Sequence, residues 1–315
     1  MAYSILSDKE LSAVIAQLKE LDPKGERVAK VIRETFNQLY DGQRTGRYRL
    51  DQLHKTEKTH CGTLIEINLH REFQFKDGAD LDYEIAGIDV DCKYSQDLGG
   101  WMIPPEAAGK LCLLVWADDA KALWNMGLIR AEPRFLNAGA NRDKKATLNK
   151  EGKSAITWLF SDPGLLQTGP LTKLQHLPLA PNLLLQMPLD EVKSIFAQPN
   201  GTKRVNQLFR LAQGKIVDRN TVATVAQQDD FLKRVRGNGG ARQHLRSEGI
   251  IILGHLAPHR QIAHGLGLPL VQIGHFVSVR VSKAKSGEVG SVLIDGAYWR
   301  RAVAEDAVQT APELL

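Results

Sequence analysis

At 315 residues, with 43% apolar and 24% charged side chains, the chain has room for two cores of ordinary size and the balance of a soluble globular protein. Its formal charge of +5 is modest for that length, so charge excludes no partner and matters only where it gathers. No run approaches the roughly eighteen apolar residues of a membrane span, and three cysteines (Cys61, Cys92, Cys112) without a C-x-x-C pair argue against a disulfide framework or a zinc ribbon.

The opening MAYSILSDKELSAVIAQLKEL reads as a helix capped by Ser7 or Asp8, with no basic leader or cleavage site; no export signal is expected, and a reducing cytoplasm fits the cysteines. Helical spacing continues over residues 8 to 40 and breaks at the glycines of LYDGQRTGRYRLDQLH, a loop carrying Arg44, Arg47 and Arg49. GTLIEINLHREFQF is rich in β-branched residues, yet Ile65, Leu69 and Phe73 recur at i, i+4 and i+8, which predicts a helix. DYEIAGIDVDCKYS predicts a hairpin, and GKLCLLVWAD and ALWNMGLIRA predict buried strands, so residues 1–161 form an α/β domain with a mixed sheet. NAGANRDKKATLNKEGKS is polar, and DPGLLQTGPLTKLQHLPLAPN holds four prolines and two glycines, placing a linker at 162–180. Residues 181–315 then offer helices over 189–197, 203–213 and 220–236 and strands over 249–254, 275–282 and 290–294.

In DYEIAGIDVDCKYS a turn centred on Ala86 and Gly87 sets Asp82 opposite Asp91 and Glu84 opposite Asp89, with Lys93 on the same face. Tyr83, Ile85, Ile88, Val90 and Cys92 form the apolar face. A solvated acidic face is the plainer reading, but opposed residues stand about 5 Å apart, where like charges destabilise pairing. Two charges about 4 Å apart at a dielectric near 20 repel by roughly 4 kcal/mol. A divalent cation between Asp82 and Asp91 would reverse that sign, since Mg²⁺ takes oxygen ligands. Lys93, about 6.6 Å along the face, could then stabilise charge developing on a phosphate. Glu84 and Asp89 are expected as solvated charges beside the turn, and Glu66 on the preceding helix is a third acid within possible reach.

The charge excess gathers between Lys203 and Arg246, where Lys203, Arg204, Arg210, Lys215, Arg219, Lys233, Arg234, Arg236, Arg242 and Arg246 meet only Asp218, Asp229 and Asp230. VNQLFRLAQ, NTVATVAQ and FLKRVR have helix-turn-helix spacing, with IIILGH and FVSVRVSK as wing strands; an ordinary helical bundle with a basic face is the alternative. Phosphate contacts would give strong salt dependence, while base readout would need Arg234 or Arg236 in a major groove.

DGQRTGRYR, QLHKTEKTHCGTLIEINLHREFQF, DYEIAGIDVDCKYS, GGWMIPPE and VATVAQQDDFLKRVRGNGGAR together resemble the NaeI family of restriction endonucleases, over most of the chain. The resemblance implies a homodimeric, Mg²⁺-dependent type II endonuclease acting on double-stranded DNA at a palindrome, GCCGGC-like in the family, with a second, effector DNA copy and no nucleotide cofactor. It implies an N-terminal restriction-endonuclease-like domain of the D-(D/E)-x-K type and a C-terminal α+β, winged helix-turn-helix-like domain over 181–315. By motif, Glu66, Asp82, Asp91 and Lys93 are the catalytic set, with Glu66, Asp82, Asp91 and the Cys92 backbone carbonyl toward the metal. Arg44, Arg47, Arg219, Lys233, Arg234, Arg236 and Arg242 are the expected DNA contacts. Asp89 and the proline-rich linker depart from the family pattern. A non-cleaving DNA-binding regulator and a repair-type nicking endonuclease are the competing readings.

Other motifs carry less. RGNGGAR lacks the G-K-[ST] of a P-loop and reads as a flexible or DNA-approaching loop, and LYDG has Leu39 where a nucleotidyl-transfer lysine would stand. His255, His259 and His264 read as surface histidines in a loop, and Trp101 as a residue that packs or shapes a DNA-facing loop.

Overall fold

In the computed structural model, which describes residues 8–140, 143–162 and 165–314, the chain divides into two compact units: residues up to Leu39 with Arg49–Pro181, and Tyr40–Tyr48 with Asn182–Leu315. The helices in chain order are α1 (Lys9–Leu21), α2 (Glu26–Tyr40), α3 (Gly42–Thr45), α4 (Lys55–Phe73) and α5 (Lys150–Ala155), then α6 (Leu183–Gln186), α7 (Leu189–Phe196), α8 (Gly201–Leu211), α9 (Arg219–Ala226), α10 (Ala241–His244) and α11 (Ala257–Gly265). The strands are β1 (Tyr83–Ile85), β2 (Ile88–Ser95), β3 (Met102–Ile103), β4 (Leu111–Asp118), β5 (Leu123–Arg130), β6 (Leu136–Ala140), β7 (Ala146–Leu148), β8 (Thr157–Asp162), β9 (Leu165–Gln167) and β10 (Leu177–Pro178), then β11 (Ile216–Asp218), β12 (Ile250–Leu253), β13 (His275–Lys283), β14 (Val292–Ile294) and β15 (Ala297–Arg301).

The first unit is built on a mixed sheet ordered β1-β2-β4-β5-β8-β9, in which β2 and β4 run parallel and β4 and β5 antiparallel. β4 is buried along nearly its whole length, as an apolar run between two covered faces should be. The helical N-terminus splits at Asp22-Pro23 into α1 and α2; Asp8 caps α1 by accepting from the Leu11 N–H, whereas Ser7 lies outside the described residues. α4 confirms the helical reading of GTLIEINLHREF, with Cys61, Leu64, Ile65, Leu69 and Phe73 buried along it. The buried Arg33 and Asp119 pair α2 to the end of β4, and Trp101, buried, donates its indole N–H to the Val115 carbonyl at 2.8 Å.

Two stretches differ from their composition. The described residues of the polar 137–154 stretch fall largely in β6, β7 and α5. Residues 165–178, expected in a linker, join the first unit: β9 pairs with β8 and β10 with β5. Proline is compatible with that placement, because β10 is a two-residue strand at a position where Pro178 is not asked for a ladder N–H on its outer side.

The second unit packs α7, α8 and α9 against a sheet ordered β11-β13-β15-β14, with β12 on β13. Residues 40–48 belong to it: Tyr48 stacks on Phe196, Asn182 donates to the Tyr48 carbonyl at 2.8 Å, and α3 lies on α9 with Gly42 tight against Thr224. The helix expected over 220–236 stops at Ala226, where Gln227 turns left-handed, and FLKR follows as a separate 3₁₀ turn. His259 is not at the surface; it is 3% exposed in α11 and accepts the Gly254 N–H at its Nδ1.

Candidate active site

The hairpin turn is closed by Ala86 (φ 57) and Gly87 (φ 75), both left-handed, the pairing of a type I′ turn whose twist matches the strands. The ladder sets Tyr83 against Val90, Glu84 against Asp89 and Ile85 against Ile88, in the register that alternation predicts. Asp82 stands one residue outside it. Instead of facing Asp91 as a strand partner, it turns its carboxylate onto the next strand, where Oδ2 accepts the Cys92 N–H at 2.7 Å.

Parallel pairing with β4 holds Asp91, Cys92 and Lys93 between Cys112 and Leu114. Asp91 is the most enclosed acid of the group, its side chain 5% exposed. Lys93 Nζ lies 2.7 Å from Asp91 Oδ1, 2.8 Å from the Cys92 carbonyl and 3.4 Å from Asp82 Oδ2, so one ammonium gathers all three acceptors. The second Asp91 oxygen, Oδ2, is buried without a hydrogen-bond partner. Burial pushes the Asp91 carboxyl up to about 6 against the opposing pull of Lys93. The Lys93 ammonium is held above its usual range although burial alone would lower it, because Asp91 and Asp82 stabilise its charge.

Glu66 approaches from α4. Its carboxyl is raised first by burial and next by the field of Asp82, which places it in electrostatic reach of the pair. Tyr83, buried on the apolar face, donates its hydroxyl to the Glu66 carbonyl at 2.8 Å and so ties α4 to the hairpin. Among the described residues no three acidic, histidine or cysteine side chains converge tightly enough to form a metal cage unaided. The oxygen donors that do converge are Asp91, Asp82 and the Cys92 carbonyl, with Lys93 where positive charge is needed. An orphaned buried oxygen on Asp91, among hard oxygen donors, fits Mg²⁺.

Asp89, expected as a solvated charge beside the turn, takes another place. Its two oxygens accept the N–H groups of Ala79 and Asp80, at 2.7 and 3.1 Å. Glu84 pairs with Lys76 at 3.1 Å. Sequence spacing signalled neither Tyr83 nor Asp89, because the first sits on the apolar face and the second bonds to a loop that alternation cannot see.

The expected DNA contacts fall into unlike environments. Arg44 is exposed, near Asp41 at 3.6 Å, and Arg47 bonds the Tyr40 carbonyl and Thr45; both sit in the second unit and not the first. Lys233 and Arg234 share Asp230, at 3.0 and 3.1 Å, and Arg234 also reaches Thr202. Arg242 turns inward and donates to the Ile252 carbonyl at 2.9 Å, where burial lowers its affinity for its proton. Arg219 lies over the Phe231 ring at 5.5 Å. Arg236 is exposed on the rim of the Gly237–Gly240 loop, with no side-chain ion pair among the described residues. No described helix is long and apolar enough to cross a membrane.

The model of the restriction endonuclease NaeI family matches residues 12–310. The type II restriction enzyme NaeI of Lentzea aerocolonigenes is 50% identical over 312 residues, covering 97% of this chain and 94% of that protein.

Proposed function

Since this chain belongs to the NaeI restriction endonuclease family and is a type II site-specific endonuclease, we propose that the hairpin site hydrolyses phosphodiester bonds of double-stranded DNA at a palindrome with the aid of Mg²⁺. The observation that carries the site assignment is the gathering of Asp82, Asp91 and the Cys92 carbonyl around Lys93 with one Asp91 oxygen left buried and unpaired. Asp91, Asp82 and the Cys92 carbonyl would hold the metal, with Glu66 completing the acidic rim from α4. Bound there, Mg²⁺ would supply Lewis-acid charge to the scissile phosphate. Lys93 keeps its proton at neutral pH and presents a fixed positive charge beside that phosphate, where charge grows as the bond breaks. Tyr83 keeps Glu66 and Asp82 in one frame.

A homodimer would place one such site on each strand, and two-fold symmetry then implies a palindromic target, GCCGGC-like being the first to test. The second unit reads as a winged helix-turn-helix that binds an effector copy of the DNA. Support comes from the order of its parts: α8, β11, α9, the 227–245 segment, then β12 and β13, with β13 between β11 and β12. In that reading α9, whose residues Thr221 to Ala226 are all buried, supports the fold, and the basic segment after it meets DNA. Three free, buried cysteines suit work in the cytoplasm.

The test is digestion of genomic DNA with Mg²⁺ and sequencing of the ends, which reports activity, site and cut position together. Linear plasmid products with one repeated end sequence are expected. Open circles alone would mean a nickase, and no cleavage with Mg²⁺ or Mn²⁺ would remove the assignment. Faster cutting of two-site than one-site plasmids, with rescue by added duplex, is expected of effector binding; equal rates would sink it.

A further inference from the structure

We propose that Asp89 is a positioning residue that fixes Asp82 for metal binding by clamping the loop that delivers it, an inference that rests on the reading of Asp82 as a metal ligand. Asp82 is the one member of the acidic pair that strand pairing does not hold, since β1 begins at Tyr83. Asp91, by contrast, is locked in β2 by parallel pairing with Cys112 of β4. Something else must set the Asp82 backbone.

The loop from Asp77 to Leu81 has no ladder of its own; Asp77 lies 3.1 Å from His70 on α4 and Leu81 packs on the core beside β4, and its remaining fixed points lie on the hairpin. At one end, Lys76 and Glu84 form a bridge in which the Glu84 N–H donates to the Lys76 carbonyl at 2.8 Å. In the middle, Asp89 accepts two successive backbone N–H groups, Ala79 at 2.7 Å and Asp80 at 3.1 Å, one on each carboxylate oxygen. Charge-assisted bonds from a carboxylate to adjacent amides are among the stronger of their kind. At the exit, Asp82 Oδ2 takes the Cys92 N–H. The loop closes so tightly that a Cβ on Gly78 would lie 2.4 Å from the Leu81 carbonyl oxygen and 2.8 Å from Asp89 Oδ1. Asp89 therefore holds the backbone three and two residues before Asp82, with only Leu81 between, and both its oxygens are occupied by those amides.

Asp89→Ala removes both acceptors and leaves the Asp82, Asp91 and Lys93 side chains in place. We expect the Mg²⁺ concentration for half-maximal cleavage to rise about tenfold, the range for groups that orient metal ligands. Mn²⁺ binding to the full-length protein, followed by electron paramagnetic resonance without turnover, should weaken in parallel. Exchange of the Ala79 and Asp80 amides should accelerate, while metal-free DNA binding holds. Glu84→Gln, opposite Asp89 on the same ladder, should leave Mn²⁺ affinity unchanged. Gly78→Ala, which disrupts the loop with Asp89 intact, should reproduce the Mn²⁺ defect, and it decides the matter if Asp89→Ala does not fold. Unchanged Mn²⁺ affinity in a folded Asp89→Ala protein, or in Gly78→Ala, would overturn the clamp. Absence of cleavage by the unmodified enzyme would instead remove the nuclease reading, because Mn²⁺ binding and amide exchange are measured independently of it.

Discussion

Between Asp82 and Ser95 the charged side chains hang from, or beside, paired strands; between Gln227 and Arg246 they hang from turns, a 3₁₀ segment and a four-residue helix. In the first region the backbone repeats every two residues, so sequence order decides which charges meet, and Lys93 finds Asp91 two places before it. In the second, no period links order to direction, and near neighbours part company: Arg234 points back to Asp230, Arg236 faces solvent, and Arg242 enters the interior. A surplus of arginine there measures charge. It does not measure the number of side chains ready for phosphate.

The sharpest way to break this contrast is to remove the ammonium that unifies the ordered region. Lys93→Ala should lower the cleavage rate by roughly a hundred- to a thousandfold, the cost of deleting one preorganised charge at a reacting group, while filter-binding affinity for DNA stays within a few-fold. Rate and affinity falling together would mean that the hairpin binds and does not cut. A smaller effect comes from pH. The Asp91 carboxyl, at about 6, must lose its proton to bind metal, so below that pH the apparent Mg²⁺ affinity should weaken by up to about tenfold per unit. The sign for the fold is the reverse: a carboxyl raised from 3.8 favours the metal-free fold at low pH and loses that contribution as pH rises through about 6. Mg²⁺ titrations of cleavage between pH 5 and 8, in steps of about half a unit, check this. A flat half-saturation would show that Asp91 is not the titrating ligand.

The same contrast explains what the sequence made legible. The hairpin register, the helix under Glu66 and strands β4 and β5 followed from hydrophobic period, which the buried faces of Ile65, Leu69 and Val90 enforce. Glu66 was legible from its helix only as an acid within reach, since a lone acid on a helix is usually a solvated charge; the resemblance decided between the two readings. Residues 165–178 read as a linker by their proline content, whereas pairing with the start of β5 needs just two residues, Leu177 and Pro178. Asp89 and His259 depart from expectation for a related reason: each bonds to backbone N–H groups several residues away, and no local pattern encodes such a partner. Nor could periodicity assign residues 40–48 to the second unit, where Tyr48 and Phe196 stack across a long stretch of chain.

The smallest expected effect tests the irregular region. Arg234 is already held by Asp230 and Thr202, so recruiting it to DNA would mean breaking those bonds first. Arg236 has no such prior engagement among the described residues, and it borders Gly237 and Gly239, which have open space around them. Arg236→Ala should therefore reduce the slope of log affinity against log salt by about 1 and leave the melting temperature in place. Arg234→Ala should do the opposite: little change in salt slope, with stability lower by about 1 kcal/mol or less, because the guanidinium is partly exposed and its ion pair is screened. If Arg234→Ala takes the larger share of the salt slope, its bonds to Asp230 and Thr202 must exchange for phosphate on binding. The basic segment would then be a surface that reorganises around DNA, and the division between engaged and available arginines would hold only for the free protein.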